Sequence, residues 1–203
     1  MTMASAPLRT PRMSVELFRG FVEGRPDEEH WELIDGVAMM MAPPTLAHQR
    51  IASNLERLLL DALENHAPTM TAFQAIGINL GPAVQDYDPE PDVVVTDNAT
   101  AEKPGERYAD RFYLVAEIVS SSDRIDVESK REVYKLHDSC TCILTVQQDR
   151  FEVRIDLRTD TGWSEQVLKQ ADDILALPDF GLRCKVSDLY RGTPLMPRQP
   201  RSP

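Results

Sequence analysis

The amino-acid sequence predicts an α/β fold: one mixed β-sheet with helices packed on its faces and a hairpin near the N-terminus. Three observations carry this. The stretch "APPTLAHQRIASNLERLLLDALENH" repeats its apolar residues at helical spacing. The runs "PDVVVT" and "RFYLVAEIVSS" are nearly continuous in apolar residues, as in strands covered on both faces. The patterns follow one another as helix, hairpin, helix, strand, strand, strand, helix, strand, strand, which places helices on the faces of a single sheet.

Each element has a local reason. In "SVELFRGFVEG", Ser14 can cap a short helix, and Val15, Phe18 and Val22 share a face. "HWELIDGVAMMMA" reads as a hairpin, because Asp35-Gly36 is a two-residue turn signal between apolar segments. Thr45 can cap the long helix, whose stripe is Ile51, Leu55, Leu58 and Ala62. "TMTAFQAIGINLG" predicts one strand ending at Gly81-Pro82. "SSDRIDVESKREVYKLHD" predicts a helix capped by Ser122 or Asp123. "CTCILTVQQDRFEVRIDL" predicts two strands joined near Gln147 to Asp149, with "WSEQVLKQ" as an edge strand. "LPDFGLRCKVSDLYR" predicts a short strand and a terminal turn of helix. Residues 1–12 and the proline-rich 191–203 have little to bury and are expected to be loose. They flank one domain over 13–190.

Composition narrows the function. The chain has 203 residues, 42% of them hydrophobic, enough to bury roughly 70% of its extended surface in one core. No apolar run approaches the roughly 20 residues of a membrane helix, and the N-terminus lacks the apolar segment of a secretory signal. The expected setting is the cytoplasm. Three cysteines fit it: Cys140 and Cys142 would share one strand face, Cys184 stands alone, and reduced, buried thiols are expected. The net charge of −11 lacks the basic surplus that general phosphate binding requires. Nucleic-acid chemistry here would need local basic residues, metal ions or a second subunit. Trp31, Met39 to Met41 and the edge strands are candidates for a homodimer interface.

Three polar residues stand where burial should forbid them. Asp92 opens the strand of Val93 to Val95. Glu117 lies between Leu114, Val115, Ile118 and Val119, and a glutamate in such a run needs a pair, a hydrogen bond or a metal. Lys130 shares a helix face with Val127, Val133 and Tyr134. Blander readings stand beside these: a strand-cap acid for Asp92, a buried ion pair for Glu117, a snorkelling route to solvent for Lys130. Two acids and an amine from neighbouring elements can also make a Mg²⁺ or Mn²⁺ site, because Mg²⁺ takes oxygen ligands and keeps several waters.

The motifs "WELIDG", "APPTLAHQRI", "PEPDVVV", "YLVAEIVSSS" and "SKREVY" follow in order over roughly residues 14–190. In this they resemble the Uma-type restriction-endonuclease family, long catalogued as a domain of unknown function, within the PD-(D/E)XK nuclease superfamily. The resemblance implies a restriction-endonuclease-like core with metal ligands at Asp92 and Glu117. The superfamily's usual lysine would stand at Val119; the family's equivalent is on the following helix, at Lys130. Glu32 matches the acid of the family's "ELIDG" signature, an accessory ligand, and His48 matches a histidine facing the cleft. Tyr134 is accessory, with a core role as the simpler alternative. The chain departs from the family at Ser120-Ser121-Ser122, where Ser-Pro-Ser is usual, and at "HDSCTCILTV", where a Gly-Val-x-x-Tyr-Trp run is usual. The implied function is a divalent-metal-dependent phosphodiester hydrolase. The competing expectation is a catalytically silent interaction module that keeps the fold, which the acidic charge favours.

Overall fold

A computed structural model of the chain describes residues 12–26, 28–82, 84–120 and 124–197. Helix α1 (Val15–Val22) is capped by Ser14, whose hydroxyl accepts from the Leu17 N–H. Strands β1 (Trp31–Ile34) and β2 (Val37–Met40) form the expected hairpin. Asp35 and Gly36 both take positive φ, 50° and 74°, as a two-residue turn between twisted strands demands.

Helix α2 (Leu46–His66) starts at Thr45, whose hydroxyl accepts from the His48 N–H. Its buried stripe is Ile51, Ala52, Leu55, Leu59 and Leu63, rotated from the expected Leu58 and Ala62, which are only half-buried. Leu55, Leu59 and Leu63 are each sealed from solvent, a contribution of about 1.5–3 kcal/mol apiece.

The central sheet holds β3 (Met70–Gln74), β5 (Val93–Asp97), β7 (Phe112–Val119), β8 (Cys142–Gln147), β9 (Val153–Thr159) and β10 (Gly162–Leu168). Its spatial order is β10-β9-β8-β7-β5-β3. Only β7 and β8 run parallel, and helix α4 (Arg124–Tyr134) makes the crossover between them. The expected cap at Ser122 or Asp123 lies outside the described residues.

Alternation along the strands divides the core in two. Val93, Val95, Leu114, Ala116, Ile118, Leu144 and Val146 pack on the α2 side. Val94, Val115 and Ile143 pack on the other side with Tyr134 of α4. Cys142 belongs to the first layer and Cys140, which precedes the strand, to the second. The two thiols therefore do not share a face. All three cysteines are unpaired.

Three further expectations are corrected. The segment expected as one strand over 69–81 breaks at Ala75, φ 49°, into β3 and the short β4 (Gly77–Ile78), which pairs in parallel with β6 (Tyr108–Ala109). Between them in sequence, Asn98–Ala101 forms the one-turn helix α3. The Gln147–Asp149 joint is longer than expected, because β9 begins only at Val153. Near the C-terminus an additional strand, β11 (Ile174–Leu177), pairs with β12 (Leu182–Lys185) before α5 (Val186–Leu189). Residues 191–197, expected to be loose, make side-chain contacts with the domain. The Asn54 amide of α2 donates to the Leu189 and Arg191 carbonyls, and Thr193 is buried with its hydroxyl on the Tyr190 carbonyl. Arg12, also expected to be loose, pairs with Asp35 and Asp86.

Candidate active site

The site forms where the central strands end on the α4 side. Val93 pairs with Ala116 and Val94 with Val115, so the same register sets Asp92 opposite Glu117. Asp92 has the parity of Val94, and Glu117 that of Val115. Both acids therefore stand on the face covered by α4. Asp92 is fixed there by the Ile118 N–H, which donates to its Oδ2 at 2.6 Å.

Helix α4 carries two residues onto this face. Tyr134 is fully buried, and its hydroxyl donates to Glu117 Oε1 at 2.5 Å. One turn earlier, the Lys130 ammonium lies 3.5 Å from Glu117 Oε1 and 2.7 Å from Glu32 Oε2. Glu32 comes from the hairpin and is 3% exposed. Its Oε1 also accepts from the Glu90 N–H at 2.9 Å, in the loop leading to Asp92. The hairpin acid thus ties together the loop before one acid and the helix over the other. From the opposite side, the first turn of α2 brings His48 Nε2 to 3.1 Å from Asp92 Oδ2. All six expected residues meet in one place: Asp92, Glu117, Lys130, Glu32, His48 and Tyr134.

The electrostatics follow from burial. Desolvation pushes the Glu117 carboxyl up to about 7; the negative charges of Asp92 and Glu32 add to it, and Lys130 and the Tyr134 hydroxyl oppose it. Burial alone would lower the Lys130 pKa, but the charges of Glu117 and Glu32 outweigh it, so the amine is held firmly as an ammonium. For His48, burial pulls down, and the hydrogen bond and charge of Asp92, the Glu117 charge and the Ile118 backbone together pull up, so the net direction is up. Burial raises the Tyr134 pKa well above its ordinary value, so the phenol stays protonated.

Glu90 is the member that sequence reading missed. It is half-buried, and desolvation followed by the Glu32 charge raises its pKa. The signal was its place in "PEPD", beside the acid that was singled out.

Four carboxyl groups, two buried (Glu32 and Glu117) and two partly buried (Glu90 and Asp92), gather around the Lys130 ammonium, with His48 beside Asp92 and His30 near Glu90. Such a surplus of negative charge is a setting for a cation. Among the described residues no three His, Cys, Asp or Glu side chains converge in metal-holding geometry. That excludes a closed protein cage of the zinc type among those residues, whereas Mg²⁺ or Mn²⁺ can be held by two carboxylates and take its other ligands from water. Asp92 and His48 are about one-fifth exposed and mark the side from which solvent reaches the site.

No curated protein matches the chain. Among solved structures, a protein described as a putative nuclease belonging to DUF820 from Anabaena variabilis aligns with a TM-score of 0.66 and 16% identity, covering 88% of this chain and 97% of that one. At that identity the likeness speaks for the fold, a mixed sheet flanked by helices. The sequence itself matches the model of the Uma2 family, described as "Putative restriction endonuclease", over residues 16–187, which takes in the hairpin acid, both strand acids and the helix lysine. With that span matched, the chain belongs to the Uma2 family of nuclease-like proteins.

Proposed function

We propose that the protein is a divalent-metal-dependent phosphodiester hydrolase acting on nucleic acid. The observation that carries this reading is the register of Asp92 and Glu117 on one face of neighbouring strands, with the Lys130 ammonium 3.5 Å from the second. Asp92 and Glu117 would hold Mg²⁺ or Mn²⁺. A bound cation supplies charge for the phosphoryl oxygens and makes a neighbouring water more acidic.

The side chains divide the remaining work. Lys130, held charged, cannot serve as a base; it orients the substrate oxygens and stabilises negative charge as it develops. Glu32 fixes the direction of that ammonium from the hairpin. Tyr134 holds Glu117 in one rotamer through its hydroxyl. His48 does the same for Asp92 from the start of α2, where the helix dipole favours a nearby carboxylate. The cytoplasm remains the proposed setting. A homodimer through the hairpin, where Val37, Met40 and Met41 are exposed, is proposed as well, and sedimentation would test it.

The test pairs binding with cleavage. Mn²⁺ titration by calorimetry should show binding to the wild type that is lost in Asp92→Ala and Glu117→Ala. Incubation with single- and double-stranded DNA and with RNA should give divalent-dependent products that both variants fail to make. Unchanged Mn²⁺ binding in the variants would remove the metal assignment. The net charge of −11 favours a second reading, an interaction module without catalysis. Binding of metal without any cleavage would support it.

A further inference from the structure

Thr145 and Gln147 lie on β8 at the positions registered with Glu117 and Val119 of β7. They fall on the α4 side, because Ile143 two residues earlier packs with Tyr134, while Leu144 and Val146 pack on the α2 side. Each is 6% exposed. Thr145 Oγ1 and Gln147 Oε1 are closed to solvent, and neither has a hydrogen-bond partner among the described residues. The Gln147 backbone, by contrast, is fully used: its N–H donates to the Glu152 carbonyl and its own carbonyl accepts from the Tyr190 hydroxyl.

Leaving two such oxygens bare costs about 1–3 kcal/mol each. The neighbouring positions of the same strand are Leu144 and Val146, so the sheet does not demand polarity there. Buried polar atoms of this kind are commonly satisfied by a bound water with two or more polar partners. We propose that Thr145 and Gln147 hold a water molecule beside Glu117, and that this is the attacking water. The proposal rests on the hydrolase reading for the second half only.

Gln147 Oε1 offers only lone pairs, and so accepts one O–H of the water. The Thr145 hydroxyl can donate to the water oxygen or accept from it. In the reaction the water oxygen forms a bond to phosphorus, keeps one hydrogen and gives its other proton to bulk water. The ester P–O bond breaks, and the departing oxygen takes a proton from solvent at the open Asp92 and His48 side. One water and one phosphodiester become a phosphomonoester and an alcohol.

A crystal structure at high resolution should show an ordered water within hydrogen-bond distance of both oxygens; their direct pairing, or empty space between them, overturns the proposal. Thr145→Val and Gln147→Leu keep the shape and remove the polar atoms. Both should melt at or above the wild-type temperature, keep Mn²⁺ affinity within about threefold, and lose about 100-fold in turnover with little change in KM. Thr145→Ser should restore turnover. Full turnover in folded Thr145→Val and Gln147→Leu would overturn the catalytic half. If the wild type cleaves nothing, the hydrolase reading falls and takes the attacking role with it. The crystallographic water then decides the binding half by itself.

Discussion

Lys130 of α4 and Glu32 of β1 form a buried ion pair at 2.7 Å, joining helix and hairpin across 98 positions of the chain. Each side chain is 5% exposed, so neither can fall back on solvent if the other is removed. Lys130→Met should therefore cost about 3–5 kcal/mol in urea unfolding, because it strands Glu32 beside Glu117. Adding Glu32→Gln to it should recover a good part of that loss. A double variant as unstable as Lys130→Met alone would show that the pair is not what holds the hairpin down.

Glu117 gives a pH dependence with a definite sign. Its carboxyl is raised from 4.5 to about 7, so the folded protein binds this proton more tightly than the unfolded chain. Below about 4.5 the acid is neutral in both states and costs nothing. As pH rises from there to about 7, the unfolded chain gives up this proton while the fold still holds it, so the metal-free protein is destabilised increasingly, and above about 7 the loss is complete. Glu117→Gln should accordingly be more stable than the wild type at pH 8 by about 1–3 kcal/mol, and about equal to it near pH 4. Thermal melts in chelator at the two pH values would check this. A variant weaker than the wild type at pH 8 would mean that the Tyr134 and Lys130 contacts outweigh the burial of charge.

His48 has the same sign for a different reason, attraction to a neighbouring charge rather than burial. Its folded pKa is raised, through Asp92 acting against burial, so its contribution to stability is present below 6.5 and is lost as pH rises through the folded value. Asp92→Asn removes the charge and leaves the burial, and should move the His48 pKa downward. The imidazole C–H shift followed by NMR in metal-free protein reads this directly. An unmoved titration would detach His48 from Asp92 in solution.

How much of this was legible follows from what each residue costs in its sequence context. Glu117 was visible because a carboxylate among leucine, valine and isoleucine is expensive unless it has a partner. Lys130 was visible because it interrupts an apolar helix face. Thr145 was not, since a threonine in "CILTVQ" is an ordinary strand residue, and only the fold shows its hydroxyl without a partner among the described residues. The α2 stripe was misplaced by one position because three leucines, 58 to 60, follow one another, and tertiary packing chose Leu59 over the expected Leu58. The turn at 191–197 was hidden because its anchor, Asn54, lies far away on α2.

Ala75 was equally hidden, because alanine carries no turn signal, yet it ends β3 with φ 49°. A Cβ in that region costs about 1–2 kcal/mol. The bend lets the Ala75 N–H donate to the Asp92 carbonyl at 3.3 Å, so the strained residue braces the peptide of a site acid. Ala75→Gly should relieve the strain and stabilise the protein by about 0.5–1 kcal/mol, after the extra freedom of glycine in the unfolded chain is subtracted. Denaturant midpoints with an unchanged m-value would measure the gain. Because the hydrogen bond uses only backbone atoms, Mn²⁺ binding should be unaffected. A loss of stability in Ala75→Gly would mean that the left-handed bend is held by contacts of the methyl group, and that the strain has been overestimated.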